Sequence, residues 1–142
     1  MTSRPAIACL GAGRMGRGIA VAFAYAGHRV TMIDVKPRST EQFASLESEA
    51  LGEIGSTLAS LARFGLLTGG DADAIVTRVT VAPMHNSADA LADAAIVFEG
   101  VPEVVDLKRE VLAAASKLVG PDVIIASTTS TILVDDISGA VE

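Results

Sequence analysis

Several things are scarce in this chain of 142 residues, and each scarcity closes a route. Cys9 is the only cysteine, so no disulfide forms within the chain, and a reducing compartment is the simpler expectation. Tryptophan is absent and aromatic residues make up only 4% of the chain, so the core has to be aliphatic. Positive charge is thin as well: 11 Lys and Arg stand against 17 Asp and Glu, a formal net charge of −6. Those basic residues are scattered, which argues against a nucleic-acid partner, since a phosphate backbone needs them clustered. No apolar run approaches the roughly 18 residues of a membrane span, so no membrane association is expected. Arg14, Arg17 and three glycines interrupt the early apolar stretch, which therefore does not read as a signal peptide. A cytoplasmic location and no bound metal are expected.

What is present is a strong alternation of patterns. Half of the residues are hydrophobic, enough for a packed core, and the length suits one domain over residues 1–142. Residues 6–10 form a short apolar run bounded by glycine, as a strand buried on both faces does. Over 14–26 the spacing becomes helical, with Met15, Ile19, Phe23 and Ala26 on one stripe and Gly27 at the C-terminal end. Residues 29–33 read as a second strand. Phe43, Leu46, Ala50, Ile54, Leu58 and Leu61 then predict a long amphipathic helix over 40–64, although Gly52 and Gly55 inside it each cost about 1 kcal/mol relative to Ala.

A short helix within 66–78, N-capped by Asp71, comes next. Strands follow at 80–82 and 96–99, with a helical turn at 87–91 between them. A helix over 102–118 starts at Pro102 with Glu103 in its first turn, its buried stripe being Leu107, Val111, Ala114 and Leu118. A last strand is read at 123–126. This alternation predicts an α/β fold of the Rossmann type, a doubly wound, mostly parallel sheet with a long helical excursion after the second strand.

Chemistry concentrates between the first two strands. Gly11-Ala12-Gly13-Arg14-Met15-Gly16 spells G-x-G-x-x-G, and each glycine has its own task. Gly11 permits the tight exit from the strand, Gly13 leaves room for a pyrophosphate against the backbone, and Gly16 lets the helix approach the sheet. The helix that begins near Arg14 offers free amides and its positive dipole end to phosphates. The glycines alone are also compatible with a tight turn that binds nothing. Here, however, they follow a strand, open a helix and precede a second strand that ends at Asp34, which is the context a dinucleotide fingerprint requires. Asp34 is placed to accept the ribose hydroxyls of an adenosine and to repel a 2′-phosphate, which favours NAD over NADP. Lys36 and Arg38 nearby work against that preference, and the fingerprint alone also admits FAD.

The residues resemble a known family. GAGRMGRGIAVAFAYAGHRVTMID resembles the opening of the 3-hydroxyacyl-CoA dehydrogenase family, GxGxMGxGIA…AxxGxxVxxxD. FEGVPEVVDLKREV (98–111) resembles its E-A-V-P-E-x-L-x-L-K segment, and ASTTSTI (126–132) its S-N-T-S segment. The resemblance covers essentially the whole chain. It implies an NAD-dependent oxidoreductase that passes hydride between the cofactor and the C3 hydroxyl of a 3-hydroxyacyl-CoA. It further implies that Glu103 and Lys108 contact the nicotinamide side of NAD and that Ser130 hydrogen-bonds the substrate. Read without it, Glu103 is a helix N-terminal acid, Lys108 a solvated helix lysine, and Ser130 a strand-end hydroxyl or a helix cap.

Two departures bear on the substrate. Thr128 stands where the family has Asn, as in the branch that contains lambda-crystallin and gulonate dehydrogenase. The long helix carries Glu41, Glu47, Glu49 and Glu53 in place of the lysines that hold CoA phosphates. A small 3-hydroxy acid of the gulonate or carnitine kind is therefore an alternative substrate, and a non-catalytic NAD-binding regulatory module is an alternative function. The resemblance also implies that the general-base His, its Glu partner and a helical substrate and dimer domain lie beyond Glu142. On that reading the chain is one piece of a longer, homodimeric enzyme. His28 and His85 are expected at the surface, outside the chemistry.

Overall fold

A computed structural model describes residues 4–141, and the sheet is its frame. Five parallel strands run in the order β3-β2-β1-β4-β5: β1 Ala6–Leu10, β2 Val30–Asp34, β3 Val79–Pro83, β4 Ala94–Glu99 and β5 Ile124–Ser127. The chain moves outward from β1 in one direction to β3, then returns to β4 on the other side of β1. That reversal places a switch point between β1 and β4, where the loops at the carboxyl ends diverge and leave a crevice. Register brings the functional ends level: Leu10 pairs with both Ile33 and Glu99, and Glu99 pairs with Ser127.

Each face of the sheet carries its own aliphatic layer. Helices α1 (Arg14–Tyr25), α2 (Thr40–Arg63) and α3 (Gly69–Val76) cover one face, with Ala20, Ala24, Ile54, Leu58 and Ile75 meeting Ile7, Cys9 and Met32. On the other face α4 (Ala88–Ala92), α5 (Val105–Ser116) and α6 (Val134–Ser138) pack Leu91, Val111, Leu112 and Ile137 against Ala8, Leu10 and Val97. Fully burying an aliphatic side chain of this size contributes about 1.5–3 kcal/mol, so these two layers dominate the stability. The doubly wound α/β architecture expected from the sequence is the one observed.

Element by element, the differences have local causes. The long helix is continuous through Gly52 and Gly55, because the burial of Ala50, Ile54 and Leu58 outweighs the glycine penalties. In α3 the N-cap is Thr68 rather than Asp71; Asp71 is the third helical residue and closes a reciprocal capping box with it. The stripe expected for α1 is rotated: Gly16, Ala20 and Ala24 are buried, while Met15 is 51% exposed. The helix expected over 102–118 starts at Val105, not Pro102, so Glu103 lies in the preceding loop. Its Ala114 is exposed; Val111 is buried as expected, and Lys108, Leu112 and Ala115 face inward with it. Helix α6, five residues long and without a side-chain cap, carried no readable signal.

Candidate dinucleotide site

The turn after β1 is shaped by two glycines in different ways. Gly11 adopts φ +109°, a left-handed conformation that favours glycine, and donates its amide to Ile33 O at 2.8 Å. Gly13 is the N-cap of α1 with an ordinary φ of −87°, and a β-carbon built on it would meet none of the described residues within 4 Å. Neither backbone strain nor packing within the chain calls for glycine there. The clear space at Gly13 is a hollow that a side chain would fill.

The adjoining helix end is unsatisfied. The N-cap of α1 makes no side-chain hydrogen bond and its first turn holds no acid, so among the described residues no side chain caps its first-turn amides. By contrast, α2 and α3 each close their first turn with a capping box. A helix mouth left open and electropositive, with Arg14 beside it, is suited to an anion.

A cleft of about 500 Å³ runs from this mouth along the carboxyl ends of the strands. The turn Gly11–Met15 forms its floor, Asp34 to Arg38 one end, and Gly100–Glu103 with Thr128 and Ser130 the other. Asp34 is only 4% exposed. Its Oδ2 accepts a hydrogen bond from Arg38 Nε at 2.5 Å, whereas Oδ1, among the described residues, meets only the Lys36 amide at a long 3.4 Å. One carboxylate oxygen is thus held by a cation and the other retains acceptor capacity, which is the chemistry a pair of ribose hydroxyls needs. Gly16 is not in the lining; it sits beneath the turn, where it belongs to the packing of helix on strand.

The far wall contains a polar assembly that only part of the sequence reading anticipated. Lys108 and Glu99 are both fully buried and paired at 2.7 Å. Lys108 is therefore not a solvated lysine, nor does it line the cleft. Glu103 lines it, and accepts hydrogen bonds from Thr129 Oγ1 at 2.8 Å and Thr131 Oγ1 at 2.9 Å, with Lys108 Nζ at 3.2 Å. The Thr129 hydroxyl foremost, with Thr131 and Lys108, holds the Glu103 carboxyl down at about 2. Ser130 is exposed to the cleft between those two threonines. Glu99, Ser127, Thr129 and Thr131 were missed from the sequence; Glu99 stands in the quoted EGVPE segment, which was its one available signal.

Neither histidine lines the cleft. His28 Nδ1 lies 2.8 Å from Pro5 O, near the amino ends of the strands. His85 is in a short 3₁₀ turn, Met84–Asn86, and borders a separate hollow on the far side of Asp34. Among the described residues neither histidine pairs with an acid, and no group of His, Cys, Asp and Glu is arranged to hold a metal ion. No helix of the described residues is long and apolar enough to cross a membrane.

The model of the 3-hydroxyacyl-CoA dehydrogenase NAD-binding domain matches residues 6–142. The chain belongs to the 3-hydroxyacyl-CoA dehydrogenase family. Within that family of NAD-dependent dehydrogenases it is 34% identical over 124 residues to L-carnitine dehydrogenase of Streptomyces coelicolor, a match covering 87% of this chain and 35% of the relative. Lambda-crystallin of Oryctolagus cuniculus is 32% identical, over 87% of this chain and 36% of the relative. The crystal structure of (S)-3-hydroxybutyryl-CoA dehydrogenase from Ralstonia eutropha superposes with a TM-score of 0.83 at 31% identity, over 96% of this chain and 45% of that one. The chain thus spans about a third of the length of these curated relatives and is the family's NAD-binding domain.

Proposed function

We propose that this domain serves an NAD-linked dehydrogenase acting on the C3 hydroxyl of a 3-hydroxyacyl substrate. The observation that carries the reading is the open hollow at Gly13 beneath uncapped α1 amides, with buried Asp34 at the end of the same cleft. The backbone from Gly11 to Met15 holds the diphosphate, while Asp34 Oδ1 accepts from the adenosine ribose. Glu103 faces the nicotinamide side, and Ser130 donates its hydroxyl to the substrate oxygen. NAD, when bound, supplies the hydride acceptor. The chain's own groups orient the cofactor and fix the substrate's approach. Among the described residues neither His28 nor His85 lines the cleft, so no histidine of this domain is assigned the removal of the substrate's hydroxyl proton. The test is calorimetric titration of the domain with NAD and NADP, with tight binding of NAD and weak binding of NADP expected.

A second reading, oxidation of a small 3-hydroxy acid, is favoured by the α2 face beside the cleft. Arg17, which lines the cleft, is bound by Glu49 at 2.9 Å and also by Glu53, so its charge is already neutralised by acids. That surface is poorly suited to the phosphates of a CoA thioester. The 34% identity to an L-carnitine dehydrogenase supports the same reading. Turnover of a 3-hydroxyacyl-CoA compared with a free 3-hydroxy acid, measured on the full-length protein, separates the two.

A further inference from the structure

The glycine turn is held by a side chain that its fingerprint does not specify. Arg17 stands one position past Gly16 in α1 and binds the turn twice. Its amide donates to Gly13 O at 2.9 Å and its Nε to Ala12 O at 3.0 Å. The first is the ordinary opening bond of the helix. The second reaches five residues back and gives the Ala12 carbonyl a donor one peptide before the helical ladder begins. A peptide unit is planar and trans, so its N–H points opposite to its C=O. With the Ala12 and Gly13 carbonyls both drawn to Arg17, the amides of Gly13 and Arg14 are directed the other way, out of the mouth of α1.

The guanidinium is itself anchored from α2. Its Nη1 meets Glu49 at 2.9 Å, and Glu53 binds the same nitrogen. These acids are four residues apart on α2, a spacing at which like charges repel, and the cation between them relieves the repulsion. Glu49 and Glu53 remain 68% and 54% exposed, so the pairs add little stability. The Arg17 side chain, by contrast, is only 12% exposed. A guanidinium is planar and rigid, so fixing Nη1 also fixes the direction of the Nε–H that meets Ala12. Two carboxylates on one cation leave the cluster with a net negative charge, which makes it a poor direct ligand for a diphosphate.

We propose that Arg17 is a positioning residue for the dinucleotide: braced by Glu49 and Glu53, it sets the Ala12–Gly13 peptide so that the Gly13 amide joins the helix mouth that receives the diphosphate. The inference rests on the assignment of the diphosphate to the turn Gly11–Met15. Arg17 acts through the Ala12 carbonyl and not through its charge. The two acids of α2 thereby serve cofactor binding, although among the described residues neither lines the cleft.

Removing the acids separates this role from two others. Glu49→Gln with Glu53→Gln, both at exposed positions, is expected to melt within a few degrees of the wild type. Were Arg17 a direct phosphate ligand, freeing it from the acids would tighten NAD binding; were it merely structural, NAD affinity would not move. Positioning predicts a loss instead, of about three- to tenfold by calorimetry on the full-length protein, as for a weakened hydrogen bond to a charged group. Before any ligand is added, the Arg17 Nε proton, followed by NMR with isotope-labelled arginine, is expected to exchange with solvent at least about threefold faster in the Gln pair. Arg17→Lys keeps the charge, but one nitrogen cannot span Ala12 O and both acids. It is expected to lose about tenfold in NAD affinity, as Arg17→Met does. Tighter or unchanged NAD binding in the folded Gln pair, unchanged Nε exchange, or wild-type affinity in Arg17→Lys overturns the proposal. If the Gln pair does not fold, Glu49→Gln alone carries the same comparison. A wild type that binds no NAD refutes the diphosphate assignment and the proposal with it, whereas a wild type that binds NAD no better than the Gln pair refutes the proposal alone.

Discussion

A β-carbon placed on Gly16 would stand 2.2 Å from the carbonyl oxygen of Gly11, closer than any such contact in a relaxed protein. The first turn of α1 and the exit of β1 are that close, and only the missing side chain allows it. Gly16→Ala is therefore expected to destabilise the domain by about 1–3 kcal/mol or more through forced separation of helix and strand. Thermal unfolding measures this, with a fall of several degrees expected; an unchanged transition would show that the turn is looser than described.

The ribose end of the cleft responds to a different substitution. Asp34→Ala removes the acceptor and releases Arg38, which now neutralises Oδ2, next to Lys36. NAD affinity is expected to fall by about 10–100-fold, as for the loss of one or two hydrogen bonds to a charged group, while NADP affinity falls less or rises. Parallel calorimetry with both dinucleotides reads the gap. An unaltered NAD to NADP ratio would contradict the placement of the ribose at Asp34.

The hydroxyls around Glu103 predict a pH signature. Its carboxyl is held at about 2 in the fold, below its ordinary value of 4.5, so the folded state favours the ionised form. The stabilisation is complete above 4.5 and is lost as pH falls through 4.5 towards 2. Carbon-detected titration of the Glu103 side chain is expected to give a midpoint near 2 in the wild type and a higher one in Thr129→Val. A wild-type midpoint at 4.5 would mean that the threonine bridges are not formed in solution.

Cys9 is expected to be inert. It lies 1% exposed in β1, and burial pushes its thiol up to about 12. Alkylation at pH 8 is expected to be slower than for an exposed thiol by at least about a hundredfold, because the thiolate is the reacting form. Labelling at the rate of a free cysteine would point to frequent opening of the sheet.

How much of this was legible in the sequence depended on the range of the interaction. The β1–α1–β2 unit, the long α2 stripe and the nearness of Gly11, Gly13 and Asp34 come from short-range patterns: strand alternation, helical spacing and a turn that needs glycine. Burial of Lys108 was not legible. A lysine on a helix reads as solvated unless its partner is known, and Glu99 belongs to a strand end that only the sheet brings alongside. Thr129 and Thr131 were hidden for the same reason, since their acceptor Glu103 lies 26 and 28 residues away. The start of α5 was misplaced because Pro102 reads as a helix opener, while here the loop it belongs to is bound to Glu99 and Lys108 through Val101.

Gly13→Val gives the most direct measurement of the central claim. The hollow at Gly13 is empty of protein atoms, so the valine variant is expected to melt within a few degrees of the wild type. Titrated calorimetrically with NAD, the wild type is expected to bind one equivalent and the variant to give no binding heat, because the side chain occupies the place of the diphosphate. A variant that binds NAD as the wild type does would contradict the account.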